Sequence, residues 1–312
     1  MAGKGESKVA VVAAVVGNLT IAIIKFAAAA LTGSSAMIAE GIHSLVDTGN
    51  GGLVLLGMRR SATPADAEHP FGHGKELYFW TLIVAISIFG IGGGMSLYEG
   101  ITYLQHPSPM GDPWPNYIVL AIAFVVEGSA FTLAMREFSA AKGDRGAAEF
   151  IRNSKDPSLF TIVFEDSAAM LGLVVAFLGV LFGHLFHNPY LDGVASIIIG
   201  LILMGVAWLL ARESKGLLVG EGVEPAMLAA MHELVAGDEA VQGVGDIRTM
   251  YVGPNDLVVN LDVAFVPSLR SAGMRQAIDR IESSLKAAYP EVSRIYIEAN
   301  ALRDVIVTAP EE

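Results

Sequence analysis

The segment AEGIHSLVDTGN, residues 39–50, sets Glu40, His43, Asp47 and Asn50 three, four and three positions apart. On a helix turning 100° per residue, these spacings keep all four on one face. An imidazole and a carboxylate one turn apart, His43 and Asp47, can grip one cation. The pair suits zinc, and manganese, iron or cobalt with less preference. The residues around them are apolar over membrane-spanning length, where ionisable groups are costly and mark an ion or substrate path. Metal or proton binding therefore outweighs the plainer alternative, a polar seam bonded to a neighbouring helix. Glu40 stands towards one end of the face and is an accessory candidate.

A second pair lies in FTIVFEDSAAMLG, where Glu165 and Asp166 are adjacent. Helix neighbours diverge by about 100°, so one of the two reaches the cation of His43 and Asp47. The other serves a proton, a helix contact or a further coordination position. Glu127, in FVVEGSAF, is a candidate proton carrier or ligand, weighed evenly against a helix–helix hydrogen bond. Lys25 has the structural roles of neutralising a carboxylate or snorkelling. In the polar stretch PADAEHPFGHGKE, Asp66, His69 and His73 could close three sides of a tetrahedral zinc site. On spacing alone, that reading is no stronger than a solvated loop.

The elements that carry these groups follow from hydropathy. The chain has 312 residues, 53% hydrophobic and 17% charged, against about a quarter charged in a soluble domain. Apolar stretches at 8–31, 35–58, 77–103, 115–135, 159–184 and 190–211 are each long enough for a membrane helix. Lys and Arg occur before the first stretch and after the second, fourth and sixth. The connections at 31–35, 104–114 and 185–190 have none. Cytoplasmic loops are the basic ones, so both termini are expected in the cytoplasm. Residues 1–212 form the expected transmembrane domain and 213–312 a cytoplasmic one.

The second domain carries 8 Lys and Arg against 16 Asp and Glu, which argues against nucleic acid. Its periodicity predicts a helix at 224–236, two strands flanking GPND, a helix at 270–288 and a strand over VSRIYIEAN. That order, α-β-β-α-β, predicts an α+β domain with helices on one face of a three-stranded sheet. There is no Cys, so no disulfide or thiolate site can form. The absence of an H-E-x-x-H pair argues against a zinc protease, and no enzyme is expected.

SSAMIAEGIHSLVDTGN followed by RRSATPADAEHPFGHGKELYFW resembles the cation diffusion facilitator family of divalent-metal/proton antiporters. The likeness extends over nearly the whole chain. In that family, two ligands come from the second span and two from the fifth. His43 and Asp47 match the first pair and Asp166 one member of the other. The remaining member falls on Ile162, which cannot bind metal. The chain is similar here to a branch that reads Glu-Asp at this place and contains a mitochondrial zinc transporter of animals. Glu165, Glu127 or water would fill the gap, Glu165 being the first choice.

The resemblance also implies a loop metal site at Asp66, His69 and His73, and a ferredoxin-like or metallochaperone-like cytoplasmic domain that serves as the contact of a homodimer. The family's His-rich site in that domain falls on Gly245, Asp262, Glu298 and Asn300, so a weakened or absent site is expected. The implied activity is proton-coupled export of a divalent cation, zinc first, with manganese, iron or cobalt, or a passive divalent-cation channel, as alternatives. No prosthetic group is expected. The short polar start MAGKGESK points to a bacterial plasma membrane as host.

Overall fold

The computed structural model of the chain describes residues 3–107 and 112–299, with side chains from Gly17 onward except Leu159. Long helices occupy the six expected spans: α1 (Gly3–Thr32), α2 (Ser35–Ser61), α3 (Glu76–Ser87) continuing through a π-helical turn (Ile88–Gly93) into α4 (Gly94–Gln105), α5 (Trp114–Lys142), α7 (Pro157–Phe186) and α8 (Tyr190–Val219). Glu76–Gln105, Trp114–Lys142, Phe160–Phe186 and Tyr190–Val219 are long and apolar enough to cross a membrane. Ile118, Val125, Leu171 and Leu201 lie exposed on these helices, as suits helices solvated by lipid. The protein is a membrane protein with a helical transmembrane domain and a small α+β unit.

Two helices run past the apolar limits read from sequence. α5 continues to Lys142 and α8 to Val219, each stopping before a glycine of positive φ, Gly143 (55°) and Gly220 (118°). Apolar length sets a span, but a helix ends where the backbone is broken. A seven-residue helix, α6 (Ala147–Asn153), occupies part of the stretch expected as a loop. It is pinned by Phe150, whose ring meets Phe138 edge-on at 5.4 Å.

The chain divides into two units, Met1–Ala62 with Glu76–Lys215, and Thr63–Lys75 with Gly216–Glu312. In the first, α2 packs on α1 and α7, and α5 packs on α1 and α7. Only Gly33 and Ser34 separate α1 from α2. Gly33 takes φ 71°, a left-handed turn that favours glycine, and the Ser34 hydroxyl caps α2 by accepting from the Met37 amide. Asp192, in the first turn of α8, then clamps this end. Its carboxylate accepts from Ser34 Oγ (2.7 Å), from Ser35 Oγ (3.1 Å) and from the amides of Ser35 and Ala36. The anion thereby satisfies free N–H groups at a helix N-terminus. It fixes where α2 starts, and so the height of every polar group along it.

In the second unit, β1 (Val241–Gly253) pairs antiparallel with β2 (Asp256–Phe265), and β2 pairs parallel with β3 (Val292–Ala299). Alternate β2 residues, Leu257, Val259, Leu261 and Val263, share one core with Met231 and Val235 of α9 (Pro225–Ala236) and Ala277, Ile281 and Leu285 of α10 (Ser271–Ala288). Both helices therefore cover one face of the sheet, in the predicted α-β-β-α-β order. Residues 63–75 pack with this unit: the Arg294 guanidinium lies 5.0 Å from the centre of the Phe71 ring. Gly74 presses on the backbone of Val252 and Gly253 so closely that a Cβ would collide.

Candidate metal centre

The polar face of α2 is buried among α1, α5 and α7. His43 is 2% exposed and Glu40 fully buried. His43 Nε2 stands 3.4 Å from Asp47 Oδ2, as the i, i+4 spacing requires. Lys25 of α1, also fully buried, donates to Glu40 Oε2 (2.8 Å), Ser44 Oγ (2.9 Å) and Glu127 Oε1 of α5 (2.8 Å). Lys25 thus takes the neutralising role, and for two carboxylates at once. Glu127 makes the interhelical bond that was one of its two sequence readings.

α7 supplies the other carboxylates. Glu165 Oε1 accepts from Asn50 Nδ2 at 2.9 Å, which ties α7 to the lower end of the same α2 face. Asp47 shares its electrostatic surroundings with Glu165, Glu127 and Asp166, and Asp166 shares its own with Glu127. Ile162 is 43% exposed and lies outside the buried cluster.

Of the nine buried side-chain atoms without a hydrogen-bond partner among the described residues, four, Glu40 Oε1, His43 Nε2, Asp47 Oδ1 and Glu127 Oε2, belong to this group of side chains. Buried polar atoms are nearly always satisfied, and orphans call for an explanation. The three oxygens are acceptors, and a neutral imidazole offers its bare nitrogen in the same way. Such atoms match a guest that accepts electron pairs, a metal cation or protons. Imidazole with carboxylates is a zinc-type donor set.

The loop triad is a second cluster. Asp66 Oδ1 lies 3.4 Å from His69 Nδ1, and Asp66 Oδ2 lies 3.5 Å from His73 Nε2. One ligand atom from each of the three residues falls within 4.8 Å of the others. The His69 amide, with that of Glu68, donates to Asp66 Oδ1, and this holds the Asp66 carboxyl below the usual carboxylate range. Lowering favours the charged form, so Asp66 stays anionic as pH falls through the ordinary Asp range. In a His43→Ala/Asp47→Ala background, zinc titration of the full chain should show a remaining site that Asp66→Asn weakens at least about tenfold. Unchanged affinity would remove Asp66 from that site.

A model of the cation efflux transmembrane domain matches residues 11–219. The chain belongs to the cation efflux family. Among its relatives in that family, the protein named proton-coupled zinc antiporter SLC30A9, mitochondrial, of Xenopus laevis is 32% identical over 91% of this chain and 51% of its own length. Metal tolerance protein C4 of Arabidopsis thaliana is 27% identical over 83% of the chain and 57% of its own length. The cation-efflux pump FieF of Escherichia coli O127:H6 is 27% identical over 92% and 90%. The chain spans about half the length of the animal antiporters that it matches.

This member of the cation efflux family carries two groups around its polar face that sequence did not assign to it. Asp192 lies far along the chain, and only its clamp on Ser34, Ser35 and Ala36 reveals its part. Ser44, a small polar residue with no signal in its spacing, accepts from Lys25. In the C-terminal unit, Asp262 and Glu298 are direct register partners and Gly245 abuts Asp262; Asn300 lies outside the described residues.

Proposed function

We propose that the protein is a secondary transporter that exports a divalent cation, zinc in the first instance, from the cytoplasm in exchange for protons. The observation that carries this reading is the set of orphaned buried acceptors on His43, Asp47 and Glu127, gathered among four packed helices. His43, Asp47 and Asp166 take the ion. Glu165 and Glu127 are the two carboxylates available for the position that Ile162 leaves empty. Family membership and relatives named as a zinc antiporter and a cation-efflux pump support the assignment.

The ligands bind metal only when deprotonated, so protons arriving from the far side displace the ion. An imidazole suits this exchange because one ring nitrogen can hold either a metal or a proton, not both. Alternating access is a rocking of helix groups about a fixed midplane site. The working form is a homodimer in a lipid bilayer, joined through the C-terminal unit, with that unit and both termini in the cytoplasm. The host is taken as a bacterial plasma membrane, on the likeness to FieF over nine-tenths of its length; the animal relatives are named as mitochondrial.

Proteoliposomes with a zinc-sensitive dye inside and an acidic lumen test this function. Zinc entry should accelerate with the proton gradient and saturate with zinc. A flux that ignores the gradient and fails to saturate would make the protein a passive channel instead.

A further inference from the structure

We propose that Lys25 is a positioning residue of the metal centre, holding Glu127 by one carboxylate oxygen so that the other completes the shell of the transported cation. The inference rests on the proposed transport site and names the group that stands in for Ile162.

An ammonium has three N–H donors. Lys25 spends one each on Glu40 Oε2, Ser44 Oγ and Glu127 Oε1, at 2.8, 2.9 and 2.8 Å. It therefore has no donor left for the second oxygen of either carboxylate, and both second oxygens are orphans. The two orphans are not equivalent. Glu40 Oε1 faces Gly172 of α7 at a separation so small that a Cβ on Gly172 would collide with it. That oxygen is packed against the α7 backbone. Glu127 Oε2 is buried without a hydrogen-bond partner, and the charge of Glu127 bears on both Asp47 and Asp166.

The other candidate, Glu165, has one oxygen bound to the Asn50 amide and no ammonium holding it. Glu127 is clamped from α1 while projecting from α5, the helix that packs on both α1 and α7. A carboxylate with one oxygen pinned keeps its other in one direction, which is how a group bonded to a ligand orients that ligand. Lys25 also keeps Glu40 and Glu127 from facing each other as bare buried anions.

The test is zinc flux in proteoliposomes, with KM and turnover separated, for Glu127→Gln, Lys25→Arg and the charge-balanced Lys25→Met/Glu40→Gln. Each variant's melting temperature without metal is measured alongside. Lys25→Met/Glu40→Gln should raise KM for zinc at least tenfold while turnover at saturating zinc falls less. Lys25→Arg, which keeps the clamp, should recover most of the affinity. A folded Lys25→Met/Glu40→Gln protein with wild-type KM would overturn the proposal, leaving Lys25 as charge neutralisation alone.

If that protein fails to fold, Glu127→Gln decides. It keeps the acceptor for Lys25 and the packing, and should raise KM at least tenfold; wild-type KM there overturns the proposal equally. Flux that needs His43 and Asp47 but not Glu127 defeats this inference only. Flux indifferent to His43 and Asp47 defeats the site itself.

Discussion

His43→Ala and Asp47→Ala should each lower proton-driven zinc flux about a hundredfold or more while leaving the apo protein folded. For the proposed site, loss of one ligand at about 3 kcal/mol sets the scale. Folding should survive because neither His43 Nε2 nor Asp47 Oδ1 has a hydrogen-bond partner to lose. Asp47 is a half-buried carboxylate beside other carboxylates, and removing a poorly compensated buried charge relieves a desolvation cost. The Asp47→Ala protein should therefore melt no lower than wild type without metal, and its melting temperature should no longer rise when zinc is added. Flux in proteoliposomes and thermal unfolding in detergent with and without zinc read the two halves separately. A variant with full flux, or one that loses flux because it has unfolded, would refute the assignment.

Asp192→Ala should act in the opposite way, reducing stability first and transport only as a consequence. The carboxylate accepts from two hydroxyls and two amides at the start of α2. Its removal strands several buried donors at once, a cost of about 3–5 kcal/mol by analogy with breaking a buried charged network. Asp192→Asn keeps acceptor capacity on one oxygen and should lose about half as much. Thermal unfolding of the apo protein in detergent measures both. An Asp192→Ala protein with a wild-type midpoint would mean that the start of α2 is held by the helix packing alone. Because α2 carries His43 and Asp47, any flux the variant retains should show a weakened KM for zinc.

The six-helix pattern was legible in sequence because apolar length is a local property. Residues 8–31 through 190–211 announce themselves without reference to one another, and the α-β-β-α-β order follows from two periodicities, 3.6 and 2. The α2 face was legible for the same reason: 40, 43, 47 and 50 lie on one helix, and helix geometry alone brings His43 to within 3.4 Å of Asp47. Even the triad of Asp66, His69 and His73 falls within eight residues, so spacing could suggest it.

Only the folded structure could decide relations between groups distant in the chain. Lys25 and Glu127 are 102 residues apart and Ser34 and Asp192 are 158 apart; no periodicity links them. Which oxygen of Glu127 is engaged depends on where α1 and α5 meet. Likewise, the side chain of Glu165 could be assigned to Asn50 only after α7 was packed against α2. Sequence determined which helices exist and which of their faces are polar, since both are set within a few turns of one chain segment. Tertiary packing decided which carboxylate oxygens are bonded and which are left over, since a donor can satisfy only what it is brought within about 3 Å of.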